Sequence, residues 1–519
     1  MTNQTYAPGD PRAVERLCQT DVIEDFATAT RNAGDRTALV HNRTAVTYRE
    51  FAEQVREIAA ACRPPRTDAV DRIAALVSHT PAAASTLLGV LSAGLTYCPI
   101  DAALPAERIR NMMSALGVDR VHAASQPANP LAGLPVEELQ AAGAPSDRAP
   151  MQTRWIPDDG AYVLCTSGST GTPKPVVVSR RALGVTVGAL RDLFELTPTD
   201  RVLQFASLGW DTCLEEILPT LTSGAALVFD DRAHRGSFPM FLRMLAEQAV
   251  TVVDLPTAFW HELVRFLDEE NAVLPASVRL VVIGGEMVDP TRLRQWVALG
   301  MDHVRLLNTF GCTETTMITH AVQLSGEGTE IGVSTAEDAP IGRPLPHVVD
   351  HITDEGELLV AGPGVASEYL GMPEQTAAAF SFADHGCGQM RWFHTGDVVV
   401  RDRHGMLHAR GRADEELKVL GVRVHPAEVE AHLNSHPSVT AAAVVGERTV
   451  VGKFLAAYVV ARQPVTAQDL KRYLSGRLPR QFVPTRITFV SALKYTQSGK
   501  VDRAAIRRTV TDMSEGVNP

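Results

Sequence analysis

Between residues 46 and 307, short apolar runs alternate with stretches of helical periodicity, and this alternation restricts the fold more than any other feature. The runs at 73–77, 97–100, 161–165, 202–205, 226–229, 250–253, 278–283 and 304–307 have strand length, and helical patterns such as 48–62 separate most of them. A strand, a crossing helix and a second strand return the chain in one direction, so parallel sheets layered with helices are expected. After about residue 340 the texture changes. Closely spaced runs at 348–352, 357–360, 397–401 and 406–410, with Gly-containing turns, predict a barrel-like all-β portion. Beyond Arg412, a strand (417–420), a helix (426–433), strands (439–445 and 453–460), a helix (467–478) and a last strand (486–490) predict a small α+β unit. The expected fold class is α/β. A large N-terminal unit, residues 1–413, combines α/β subdomains with a β-barrel-like subdomain, and a small C-terminal unit, residues 414–519, follows a boundary at Asp414.

The chain has 519 residues, 45% of them hydrophobic and 21% charged, enough for more than one buried core. A net charge of -11 argues against a nucleic-acid binder, whose footprint would be basic. The seven cysteines are odd in number, dispersed and free of any CxxC pair, which disfavours zinc and a disulfide framework and fits a reducing compartment. No apolar run approaches the roughly 20 residues of a membrane span, and the first residues lack the basic and apolar regions of a signal peptide. The expectation is a cytoplasmic protein with neither membrane nor nucleic acid as partner.

The segment 162–174 carries the most chemistry. An apolar strand runs into Thr166, Ser167, Gly168, Ser169, Thr170 and Gly171 and closes on Lys174. Glycine lets backbone N–H groups turn inward, hydroxyls add hydrogen bonds, and lysine brings a mobile positive charge, which together suit a polyphosphate. The Walker spacing is absent. A flexible linker is the competing reading, but linkers rarely follow a buried strand and end in Pro-Lys. With this loop the sequence resembles the adenylate-forming superfamily, and within it the free-standing adenylation domains of nonribosomal peptide synthetases. The resemblance extends in order over nearly the whole chain: Val46-Thr-Tyr-Arg-Glu-Phe51, Leu91 to Asp101, the loop, Gly311-Cys-Thr-Glu314, Gly356-Glu-Leu358, His394-Thr-Gly-Asp397, Gly411-Arg-Ala-Asp414 and Thr496 to Arg503.

The resemblance implies roles for individual residues. Asn308 would read the adenine edge, Phe310 would stack on the ring, and Thr313 would bind phosphate. Glu314 would hold Mg²⁺, a hard cation that prefers carboxylate oxygen; alone, it reads equally well as a solvated acid at a helix start. Asp397 would accept both ribose hydroxyls, assisted by Arg412. Asp414 would be the hinge about which the small unit swings, which makes that unit mobile. Lys500, by itself an ordinary surface lysine, would bridge substrate carboxylate and α-phosphate and stabilise the transition state. ATP and Mg²⁺ are the implied cofactors.

The segment Trp210 to Ile217 aligns with the family's marker for amino-acid substrates, where Asp211 would pair with the α-ammonium; capping its own helix is the competing role. The implied substrate lining is Asp211, Thr212, Glu215, Asp254, Val282, Gly284, Thr309, Met317 and Ile318. Asp211 and Glu215 are one helical turn apart on one face, and Asp254 ends the strand predicted at 251–253. Three carboxylates in one pocket repel and raise one another's pKa, which a dicationic ligand would relieve. A lysine, β-lysine, ornithine or arginine type substrate is therefore expected, unless a protein Arg or Lys neutralises Glu215 or Asp254. No condensation motif is visible and 16 residues follow Arg503, so an acceptor thiol would come from a separate phosphopantetheinylated carrier protein, with a small accessory protein as a further partner.

Departures from the family pattern are Pro175 for a glycine, Arg180 for a histidine, Glu368 for a glycine, Cys312 for a proline and Leu420 for an arginine. Glu368 and Leu420 leave room for a free amine as acceptor; coenzyme A is a rival acceptor on the same scaffold, against which Asp211 argues. A silent adenylate-binding protein is disfavoured because Lys174, Glu314, Asp397, Arg412 and Lys500 are all present.

Overall fold

The computed structural model describes residues 21–62, 71–123, 134–139, 155–166, 173–329, 339–412, 417–419, 422–449, 452–493 and 506. Two large sheets dominate. The nine-stranded sheet runs in the order Arg343–Pro344, Ile318–Ser325, Arg305–Gly311, Leu280–Gly284, Val252–Pro256, Arg201–Leu203, Ala226–Phe229, Thr37–His41, Thr44–Thr47. Its six central strands, from Arg305–Gly311 to Thr37–His41, are parallel, and antiparallel strands close both edges. The seven-stranded sheet is ordered Glu368–Tyr369, Lys174–Ser179, Gly160–Thr166, Thr96–Asp101, Arg72–Val77, Val121–Ala123, Val136–Glu138. It too is parallel except at the Lys174–Ser179 and Glu368–Tyr369 edge.

The helices between the sheets are apolar on more than one side. Pro81–Ser92 buries ten consecutive residues from Ala83 to Ser92, and Thr212–Thr222 buries every residue from Cys213 to Thr222. That is the pattern of a helix packed on both faces. Together with Tyr48–Cys62 and Arg180–Phe194 they form one continuous core spanning both sheets.

Most predicted strands are present, with shifted ends. The strand predicted at 250–253 continues through Asp254 to Pro256, so Asp254 lies in mid-strand rather than at its end, in register with Val282. The strand predicted at 304–307 runs on to Gly311, which puts Asn308, Thr309 and Phe310 inside it. The β-rich portion is a five-stranded antiparallel sheet, Val349–Ile352, Glu357–Ala361, Gln389–Arg401 and Phe380–Asp384 in order, with Leu407–Arg412 paired to Gln389–Arg401.

Beyond residue 417 the chain forms a separate small core. The hairpin Leu417–Val419 and Val422–Val424 and the sheet Val439–Thr449, Gly452–Ala461, Arg486–Phe489 enclose the helices Pro426–Asn434 and Ala467–Ser475. This unit docks on the helix Ala106–Leu116. Arg108 and Glu428, both fully buried, form an ion pair across the junction, Arg477 and Glu107 form a second at 3.5 Å, and Trp210 packs against the small core. A buried ion pair holds only while both partners remain, since removing one strands the other charge in a low-dielectric setting. Glu428→Ala is expected to weaken the docked arrangement by about 3–5 kcal/mol. Small-angle scattering should show a larger radius of gyration for that variant; an unchanged radius would mean that other contacts hold the units together.

Candidate functional site

Parallel strands end on one edge, and open α/β sheets gather ligands there. Here that edge carries a cavity of about 610 Å³. Of the nine residues expected at the substrate, eight line it: Asp211, Thr212, Glu215, Asp254, Gly284, Thr309, Met317 and Ile318. Val282 does not. It is fully buried in the apolar core.

Backbone constraints shape this wall. A Cβ at Gly284 would stand 2.6 Å from the Thr309 hydroxyl, and one at Gly311 would collide with the Met317 carbonyl at 1.8 Å. Thr316 and Met317 both take positive φ, 58° and 69°, a conformation that side chains other than glycine rarely adopt. Strain of this kind persists only where the surroundings impose it, and it clusters at functional turns. It aims the Thr313–Thr315 turn and Met317 toward the cavity.

The acidic residues divide into two kinds. Glu216, 1% exposed, accepts hydrogen bonds from the backbone N–H groups of Phe205 and Ala206 at 3.0 Å and from Gln204 at 2.9 Å, and so fixes the loop that lines the cavity. Glu215 and Asp254 are also buried, yet they contact one another instead of a cation. Among the described residues neither forms an ion pair with Lys, Arg or His, and Asp254 Oδ2 has no hydrogen-bond partner. Burial, then the charges of Asp254 and Asp211, hold the Glu215 carboxyl well above the usual carboxylate range. Burial pushes Asp254 up to about 7. Asp211 starts the helix Thr212–Thr222 without capping it through its side chain, so capping does not account for it.

The phosphate side of the site is partly described. Thr166 and Thr313 border the same cavity. Lys174 opens the strand Lys174–Ser179 and lies 5.0 Å from the centre of the Tyr369 ring. Glu314, 2% exposed, accepts a 3.0 Å hydrogen bond from the Tyr369 hydroxyl. Among the described residues no group of three or more His, Cys, Asp or Glu could hold a metal. The oxygen donors of Glu314, Thr313 and Thr166 fit a hard cation such as Mg²⁺, which takes few protein ligands and completes its shell with phosphate and water. Asp397 and Arg412 face each other across paired strands and form an ion pair at 3.1 Å. Asn308 is held by a 2.8 Å bond to the Pro340 carbonyl, and Phe310 packs edge-on against His320. Ser167, Gly168, Ser169, Thr170, Gly171, Asp414, Leu420 and Lys500 lie outside the described residues.

Some lining residues carried no signal in the sequence. His79 and His234 approach to 3.2 Å between their Nε2 atoms, His234 stacks on Phe205, and all three border the cavity. Burial lowers His79 to about 4, so it is neutral at physiological pH. They come from loops 155 residues apart, with no motif around either. Val422 and Gln481 of the small unit line the same cavity, and a second one of about 1420 Å³ between the units shares Asp101, Ala103, Ser207, Trp210 and Gln481 with it. Two departures from the family pattern are accounted for. Arg180 is buried in an ion pair with Asp21 at 3.0 Å, and Glu368 is exposed while its neighbour Tyr369 points inward.

The match to the AMP-binding enzyme family supports an AMP-forming ligase. The chain belongs to the AMP-binding enzyme family: that family's model matches residues 26–370, and its C-terminal domain model matches residues 428–500. It is similar to enzymes of nonribosomal peptide synthesis. It is 38% identical over 487 residues to an isonitrile lipopeptide synthase of Streptomyces coeruleorubidus, covering 92% of this chain and 33% of that one. It is 32% identical over 518 residues to the phenyloxazoline synthase MbtB of Mycobacterium sp. (strain MCS), covering 96% and 43%. The chain thus spans less than half the length of these relatives. Among solved structures it matches the amide bond synthetase McbA of Marinactinospora thermotolerans with a TM-score of 0.80 at 26% identity, covering 94% of this chain and 99% of that one. An artificially fused adenylation–PCP di-domain from Klebsiella oxytoca shares the fold with a TM-score of 0.78 at 24% identity, covering 90% and 93%. Among the described residues no helix is long and apolar enough to cross a membrane.

A buried carboxyl whose pKa is raised on folding binds more protons in the native than in the unfolded state, so it costs stability as pH rises. For Asp254 that window runs from its ordinary value of 3.8 to about 7. Asp254→Asn is therefore expected to raise the melting temperature more at pH 8 than at pH 5, as calorimetry would show. An equal effect at both values would mean that Asp254 is not held at a raised pKa.

Proposed function

We propose that the protein activates a basic amino acid, of the lysine, β-lysine, ornithine or arginine type, as its aminoacyl-AMP and releases pyrophosphate. The aminoacyl group then passes to the phosphopantetheine thiol of a carrier protein in nonribosomal peptide biosynthesis. The observation that carries this reading is the Glu215–Asp254 pair, two buried carboxyls in the cavity with no cationic partner among the described residues. Buried charge persists where something compensates it, and a second ligand ammonium would do so. Asp211, one turn before Glu215, would take the α-ammonium. Gly284 keeps the wall open for the intervening methylenes.

Asp211 and the acid pair would hold the substrate at both ends, leaving its carboxylate toward the phosphate side of the cavity, where Thr166 and Thr313 would bind the α-phosphate. Asp397 and Arg412 would take the ribose, and Asn308 and Phe310 the adenine. Glu314 would hold Mg²⁺, whose charge screens the phosphates when bound. Lys500 would bridge the attacking carboxylate and the α-phosphate, stabilising charge as pyrophosphate leaves. The cleft between the units shares five residues with the substrate cavity and offers an acceptor a way in. The likeness to a solved adenylation–PCP di-domain supports a carrier thiol as that acceptor. The likeness to an amide bond synthetase supports a second reading in which a free amine accepts the acyl group. Supplying carrier protein or amine to preformed adenylate distinguishes them.

Pyrophosphate exchange across the common amino acids plus β-lysine and ornithine tests the substrate class; a neutral amino acid outperforming every basic one would reject it. Lys500→Ala should slow exchange by roughly 10²–10³-fold while leaving ATP binding nearly unchanged. The acid pair also sets a pH dependence. Below about 7 Asp254 is protonated in the empty cavity, and the ligand's ammonium must displace that proton. KM for the basic amino acid should therefore fall as pH rises from 6 to 8, and Asp254→Asn should flatten the profile. A wild-type KM constant over this range would contradict the ammonium site.

A further inference from the structure

The short segment around Tyr369 is fastened to both halves of the phosphate side. Ser367 N–H donates to the Val177 carbonyl and Leu370 N–H to the Pro175 carbonyl, which pairs this segment with the strand that begins at Lys174. Ala366 N–H donates to the carbonyl of Glu314. Strand alternation then turns Glu368 to solvent and Tyr369, 3% exposed, inward. The phenol donates to Glu314 Oε1 at 3.0 Å while the ring face meets the Lys174 ammonium at 5.0 Å. The ring itself is held. Phe380 packs against it at 5.7 Å, Arg391 covers Phe380 at 4.0 Å, and Arg391 donates to the carbonyls of Ala366 and Ser367 at 2.5 and 2.6 Å.

We infer that Tyr369 is a positioning residue that sets the Glu314 carboxylate and the Lys174 ammonium for Mg²⁺·ATP. A carboxylate on a flexible side chain has several rotamers, and a buried phenol donor selects one. A lysine ammonium is a mobile point charge, and an aromatic face limits where it rests. One rigid side chain thus orients the metal-binding acid through its hydroxyl and the phosphate-binding cation through its ring. Tyr369 touches neither ATP nor amino acid in this role. It acts through Glu314 and Lys174. The inference rests on the adenylation reading above, which gives those two residues their ligands.

Tyr369→Phe keeps the buried ring and removes only the donor. A hydrogen bond to a charged group supports an expected loss of roughly ten- to hundredfold in kcat/KM for ATP. The Mg²⁺ concentration for half-maximal exchange should rise, and KM for the amino acid should not change. A readout free of turnover is the melting temperature with ATP, with and without Mg²⁺: the Mg²⁺-dependent part of the ATP stabilisation should shrink in Tyr369→Phe. Tyr369→Leu, which also removes the ring face, should weaken ATP binding even without Mg²⁺. A Tyr369→Phe variant with wild-type Mg²⁺ response in both measurements would overturn the inference, as would lost activity with an unaltered Mg²⁺ response. A wild type that shows no exchange would instead refute the adenylation reading, and the thermal measurement would still decide the role of Tyr369.

Discussion

Two carboxyls are pressed together in the apolar end of a sheet, and much of the site's character follows from that contact. Glu215 sits one turn into a helix that is buried on every side, and Asp254 lies within a central parallel strand. Both are buried where they line the cavity. Burial therefore acts on the protonation state rather than on the geometry, and the pair is held above the ordinary carboxylate range. Helix and strand are held in place by their apolar residues, Cys213, Leu214, Ile217, Leu218 and Leu221 of the helix and Val252 of the strand, which belong to the continuous core.

The other acids of the site show how differently the same side chain behaves when it has partners. Glu216 spends its oxygens on two backbone N–H groups and an amide. Asp397 faces Arg412, and Glu314 receives a phenol. Each of these is held in one orientation by a donor. Among the described residues the Glu215–Asp254 pair has only itself and the cavity.

Much of this was readable in the sequence. Strand and helix existence followed from apolar periodicity because the core is continuous and each element meets it. The ends of strands were less readable: Asp254 and Asn308 are polar and look like strand terminators, yet the ladder continues through them because neighbouring strands offer partners. Eight of the cavity-lining residues were legible through the family's motif spacing, while Val282, in register with Asp254, is turned into the core. His79, His234 and Phe205 were not legible, since only the packing of distant loops brings them together. Tyr369 was hidden for another reason. A two-residue strand has no periodicity to read, and its role depends on pairing with the strand after the phosphate loop.

The small unit adds the last constraint. Val422 and Gln481 reach the substrate cavity while Arg108 and Glu428 bury an ion pair at the junction. An ion pair so enclosed resists partial separation, because a half-open arrangement would expose neither charge to water nor keep it paired. The junction therefore favours discrete arrangements over a continuum. Trp210 stands beside Asp211, lines the cavity and packs on the small core, so a change in docking is transmitted to the cavity wall. The shape of the cavity and the placement of the small unit are in that sense one packing problem, shared through Trp210, Val422 and Gln481.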